Sequence, residues 1–116
     1  MRTDLHVTLP AIIGHVLKEI RSEKKISQKY VADKLEISVS GLSKIENGVT
    51  ALSVEQLFLF SNIYEISTLE IISKIETLVA KLNQSEIAVI NSKLNSTKGI
   101  SKDNLKSNWW LAFIEQ

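Results

Sequence analysis

The sequence predicts an all-α fold. Only one proline and four glycines interrupt its 116 residues. Most segments place apolar residues at three- and four-residue steps, and no convincing pair of strands emerges. Three regions follow: a short N-terminal arm over 1–9, a set of short helices over 10–72, and a helical extension over 73–116.

In the arm, Leu5, Val7 and Leu9 alternate with polar residues, the pattern of an extended segment. The first helix is expected from Pro10, which suits an opening turn, to about Lys24, with Ile13, Val16, Leu17 and Ile20 on one face. Ser27 caps a second helix, Gln28 to Leu35, which buries Val31, Ala32 and Leu35. After the short connection Glu36-Ile37, Ser38 caps a third helix from Val39 to about Asn47. It buries Leu42 and Ile45 and closes at Gly48. Ser53 with Gln56 forms a capping box for a fourth helix carrying Leu57, Phe58, Phe60 and Ile63.

A fifth helix is expected from Thr68 to about Asn83. Leu69, Ile72, Ile75, Val79 and Leu82 follow each other along it, close to a coiled-coil seam. Ser85 would cap a sixth helix, Glu86 to Asn95, with Ile87, Ile90 and Leu94 on one side; residues 96–102 read as a loop. Residues 103–115 read as a last helix carrying Leu105, Trp109, Trp110, Phe113 and Ile114. The Trp pair is expected to close a core or meet a second subunit. A ligand pocket is the competing reading.

Composition narrows the function. Hydrophobic residues at 44% and charged residues at 23% suit a soluble globular protein. No run approaches the roughly 18 to 20 apolar residues of a membrane span. The opening Met1-Arg2-Thr3-Asp4 has no secretion signal, so a cytoplasmic location is expected. Absence of cysteine excludes disulfides and thiolate zinc sites. His6 and His15 lack a paired metal-ligand motif, and no serine sits in a nucleophile motif. Neither an enzyme nor a metal or other cofactor is expected. Net charge is +1, and residues 11–65 balance seven basic side chains against seven acidic ones. Any nucleic-acid contact must therefore rely on charges sorted by face, with modest non-specific affinity.

Two short helices joined by a tight turn form a helix-turn-helix, whose second helix fits the DNA major groove. From Ile13 to Ser67 the chain resembles the Cro and phage-repressor (Xre-like) family. The matching residues are Ile13-Gly14, Leu17, Ile20-Arg21, Ser27-Gln28, Val31-Ala32, Leu35, Ser38, Leu42-Ser43-Lys44-Ile45-Glu46-Asn47-Gly48, Leu57 and Ile63-Tyr64-Glu65-Ile66-Ser67. The resemblance implies a lambda-repressor-like five-helix DNA-binding domain. It implies that Gln28 bonds a DNA phosphate, that Ser38 and Asn47 hold the DNA backbone, and that Val39, Ser40, Ser43 and Lys44 face the groove. It also implies an ion pair between Arg21 and Glu46 that locks the first helix to the third.

Helical spacing supports the groove-facing set independently, since Leu42 and Ile45 turn inward and leave those four residues outside. Lys44 suits guanine or phosphate, and Val39 suits a thymine methyl. None of the four is Arg, Gln or Asn, so part of the specificity is expected from DNA shape. The chain departs from the family pattern at Glu36 and Leu52, where glycine and proline are frequent. Gly41 inside the third helix costs roughly 1 kcal/mol relative to alanine.

The reading is a dimeric repressor on an inverted-repeat operator in double-stranded DNA. The homodimer would form through Leu69, Ile72, Ile75, Val79, Leu82, Trp109, Trp110 and Phe113. Three competing readings stay open: an antitoxin that binds a protein partner through its C-terminal helices, a protein-interaction module without DNA binding, and a ligand-sensing regulator.

Overall fold

The computed structural model describes residues 5–90 and 110–114. Strand β1 (His6–Thr8) leads into α1 (Leu9–Glu23), α2 (Gln28–Leu35), α3 (Val39–Glu46), α4 (Val54–Tyr64), α5 (Thr68–Gln84), β2 (Ala88–Ile90) and the single turn α6 (Leu111–Ile114). No helix among the described residues is long and apolar enough to cross a membrane.

Each of the first five helices starts at a hydroxyl cap. Thr8, Ser27, Ser38, Ser53 and Ser67 take extended backbone angles, and each side-chain oxygen accepts an amide of the first turn. At Ser53 the reciprocal bond from the backbone to Gln56 completes the capping box.

The helix ends follow a rule that the sequence reading did not extract. Lys25, Glu36, Glu65 and Glu86 all adopt left-handed backbone angles, with φ of 59°, 61°, 57° and 62°. The isoleucine after each donates its amide five residues back: Ile26 to Arg21, Ile37 to Ala32, Ile66 to Ser61 and Ile87 to Leu82. This is the Schellman closure. Charged residues stand where glycine is the usual occupant, at a conformational cost of roughly 1–2 kcal/mol each. Packing of the following isoleucine on the core offsets it, joined after Lys25, Glu36 and Glu65 by a serine that caps the next helix.

Two expectations are corrected here. Residues 86–90 do not form the start of the expected sixth helix. Left-handed Glu86 ends α5, Ile87 is buried, and Ala88–Ile90 is a strand. A short apolar run such as Ile87-Ala88-Val89-Ile90 suits helix and strand alike until packing decides. The second correction is that strands do pair. β1 and β2 run parallel, with His6 opposite Ala88, Val7 opposite Val89 and Thr8 opposite Ile90. The arm therefore docks on its own chain, and Thr8 ends the strand by capping α1 one residue before the expected start.

Among the described residues two clusters make the core. One joins Val16, Leu17 and Ile20 of α1 with Val31, Ala32 and Leu35 of α2, Leu42 and Ile45 of α3, Phe60 and Tyr64 of α4, and Ile71 of α5. The other joins Val7, Ala11, Ile12, Leu82, Ile87 and Trp110. Ile75 and Leu78 pack against both, so α5 carries the core across the boundary expected near residue 72. Leu82 and Trp110, expected to meet a second subunit, are 0% exposed within this chain. The Trp110 ring meets His15 edge-on, with centroids 5.5 Å apart. Expectations on residues 91–109, including Leu94, Leu105 and Trp109, and on the side chain of Phe113 lie outside the described residues.

Helix α3 is seated by backbone contact with α1. A Cβ on Gly14 would lie 2.3 Å from the Ile45 carbonyl oxygen and 2.5 Å from that of Glu46. Gly48, at φ 78°, closes α3, and a Cβ there would lie 2.5 Å from Ala11 Cα. Both obstructions are backbone and cannot swing aside. Gly14→Ala should therefore lower unfolding stability by about 1–3 kcal/mol or more in urea titration. Gly41→Ala, whose Cβ would meet side-chain atoms alone, the Ser38 oxygen at 3.3 Å and Ile37 carbons at 3.8 and 3.9 Å, should raise it by up to about 1 kcal/mol.

Candidate nucleic-acid interface

The site grows from one buried ion pair. Arg21, in the last turn of α1, donates from Nε to Glu46 Oε2 at 2.7 Å and from a terminal nitrogen to Oε1 at 3.2 Å. Its other terminal nitrogen donates to the Ile26 carbonyl at 3.1 Å. The side chains of Arg21 and Glu46 are 13% and 1% exposed. The fork geometry and the burial separate this pair from a surface contact worth well under about 1 kcal/mol. The hydrogen bonds to Glu46 hold the guanidinium more firmly protonated than usual. Burial opposes this, and the carboxylate charge adds to the first effect.

Gln28, the first residue of α2, completes the cluster. Its Nε2 donates to Glu46 Oε1 at 3.0 Å and to Ser43 Oγ at 3.2 Å. A primary amide nitrogen carries two hydrogens, so both are committed. A bond from Gln28 to a phosphate, implied by the resemblance, would require giving up one of them. Sequence reasoning missed this link because Gln28 and Glu46 lie 18 residues apart and share no local spacing. Only docking of the α2 N-terminus on the last turn of α3 brings them together.

The outward side of α3 carries the expected residues. Val39 is 39% exposed, Ser40 and Lys44 are exposed, and Ser43 is half-buried beneath Gln28. Ser38 spends its oxygen as a cap, accepting from Gly41 at 2.9 Å, and Asn47 ends the helix in the open. The nearby cations of α2 are engaged locally. Lys29 pairs with Asp33 at 3.1 Å, and Lys34 sits 5.4 Å from the centroid of the exposed Tyr30 ring. Lys44 is in neither contact.

Tyr64 was named in the sequence only as part of the family match. It is fully buried, and among the described residues its hydroxyl has no hydrogen-bond partner. Burial pushes its ionisation well above the ordinary 10.0, and the Glu46 charge adds to the shift.

A helix-turn-helix family model matches residues 17–71. Over 102 residues the chain is 32% identical to the HTH-type transcriptional regulator ImmR of Bacillus subtilis (strain 168). The match spans 88% of this chain and 74% of that protein. No solved structure matches significantly.

Two outcomes test the cluster. Glu46→Ala should cost about 3–5 kcal/mol in denaturant unfolding, because it strands the Arg21 guanidinium in a nearly closed site. Tyr64 has a raised folded-state pKa. Its contribution to stability is complete below about pH 10 and declines as pH rises further, since only the unfolded chain ionises readily there. Tyr64→Phe should flatten that alkaline decline and leave neutral-pH stability unchanged or higher, by removing an unpartnered hydroxyl. Urea midpoints at about pH 8 and about pH 11 measure both effects.

Proposed function

The chain belongs to the Cro/C1-type (Xre-like) helix-turn-helix family of DNA-binding transcriptional regulators, and from that premise we propose that it is a dimeric repressor that occludes a promoter by binding an inverted-repeat operator. The observation that carries the reading is the outward face of α3. Val39, Ser40 and Lys44 stand clear of the protein on a helix locked from behind by Gly14, Gly48 and the Arg21–Glu46 pair.

The proposed chemistry is modest per contact. Val39 offers methyl groups to thymine, Ser40 a short polar contact, and Lys44 a cation to guanine or phosphate. The free amides at the start of α2, with Ser38 and Asn47, set the register on the phosphates. None of the base-facing residues makes a bidentate contact, so groove width and deformability supply a large share of sequence preference. With a net charge of only +1, non-specific attraction is weak, and discrimination depends on how well the two halves fit together.

Pairing of two copies places recognition helices about 34 Å apart on successive major grooves. Of the residues expected to drive pairing, Leu82 and Trp110 are consumed by the chain's own core, and Ile75 and Val79 are half-buried. Leu69, 76% exposed, and Ile72, 38% exposed, are left for the partner; Val54 and Phe58 of α4 are exposed as well. The protein acts in the cytoplasm, where its operator is.

Selection of bound duplexes from a random library should return an inverted repeat with half-sites about one helical turn apart. Lys44→Ala should alter the preferred bases if Lys44 reads them. An unchanged consensus with lower affinity assigns it to phosphate. Leu69→Glu with Ile72→Glu should shift sedimentation toward the monomer and weaken binding to full operators more than to half-sites. Binding no stronger than to random DNA at low salt rejects the reading.

A further inference from the structure

We propose that Gln28 is a positioning residue, which turns the hydroxyl of Ser43 into an outward hydrogen-bond donor that reads an acceptor atom in the major groove. The inference rests on the DNA-binding reading of α3 and goes beyond it. It assigns a specificity role to a pair in which the resemblance gives Gln28 a phosphate contact.

The geometry begins at Glu46. Its carboxylate, 1% exposed, can only accept, and Arg21 occupies it from the side of α1. The orientation of the Gln28 amide follows. Nε2 must face Glu46 Oε1 at 3.0 Å, because the reversed amide would set oxygen against oxygen. The second Nε2 hydrogen then points at Ser43 Oγ, 3.2 Å away. Each step leaves the next group one orientation. The chain runs from a fixed ion pair to the half-buried Ser43 hydroxyl through a single side chain.

Ser43 consequently enters the groove with its oxygen already accepting. A helical serine often donates its hydrogen to the carbonyl four residues back. Among the described residues Thr77 does this toward Ser73, and Ser43 makes no such bond. Its hydrogen remains for an external acceptor. Accepting a bond from the amide also strengthens the hydroxyl as a donor. In the major groove the acceptors are guanine O6 and N7, adenine N7 and thymine O4, whereas the cytosine amino group is a donor. A phosphate oxygen would also accept a bond from Ser43, but it would produce no base preference.

Three proteins test this: the full-length wild type, Gln28→Met, which keeps length and removes the amide, and Ser43→Ala. In the free protein, the Gln28 side-chain amide signals should be distinct and slowly exchanging by NMR, and Ser43→Ala should shift one of them. In library selection, both substitutions should relax preference at the same base pair by about three- to tenfold. The double variant should lose no more than either single one. Free exchange of the amide in the folded wild type would overturn the linkage without touching the DNA reading. Uniform weakening of all sites by Gln28→Met, with the consensus intact, would assign Gln28 to phosphate instead. Relaxation at different base pairs would also overturn the proposal. Failure of the wild type to select any consensus would remove the DNA reading, and this inference with it.

Discussion

The fork between Arg21 and Glu46 is the constraint on which the remaining geometry depends. It ties the end of α1 to the end of α3. Through the Ile26 carbonyl it also holds the turn before α2. Through Gln28 it holds the first residue of α2 itself. A charge pair buried to this degree stabilises a fold only when its remaining hydrogen-bonding capacity is satisfied. Here the carboxylate accepts from two side chains, and the guanidinium also finds a backbone oxygen. What such a pair supplies beyond stability is orientation: a planar fork permits one relative pose of its two helices, whereas apolar contacts permit many.

Close backbone approach reinforces that pose. Gly14 admits the last carbonyls of α3 to within a distance that any side chain would block, and Gly48 lets the exit from α3 run along the start of α1. Helix α3 is thereby pinned along its inner side and at its C-terminal end. Its outer side is left to Val39, Ser40, Ser43 and Lys44. Such a fixed pose suits the proposed reading of DNA through few strong base contacts. When individual contacts are weak, discrimination depends on holding them all in a fixed pose against the duplex.

The junctions between helices show the same economy. Lys25-Ile26-Ser27, Glu36-Ile37-Ser38 and Glu65-Ile66-Ser67 are one device used three times: a left-handed charged residue, an isoleucine that packs on the core, and a serine that caps the next helix. Glu86-Ile87 repeats the first two steps and then enters a strand instead of a helix. The repeated tripeptide is visible in the chain, yet glycine is the usual signal for such a closure, and its absence hid the pattern. Glu36 fills the left-handed position that the family often gives to glycine.

The amino-acid sequence by itself determined the helical architecture over residues 9–84. Capping serines, three- and four-residue apolar steps and the Ser-Gln to Glu-Asn-Gly spacing are local features, and local backbone chemistry acts wherever the chain goes. It likewise marked which side of α3 turns outward. Tertiary structure alone decided that Val7 and Val89 pair as parallel strands, that Trp110 closes an inner cluster against His15, and that Gln28 faces Glu46 and Ser43. Each of these joins residues far apart in sequence. A short apolar run or a single polar side chain carries no record of its partner, so the outcome rests on the geometry with which whole helices dock.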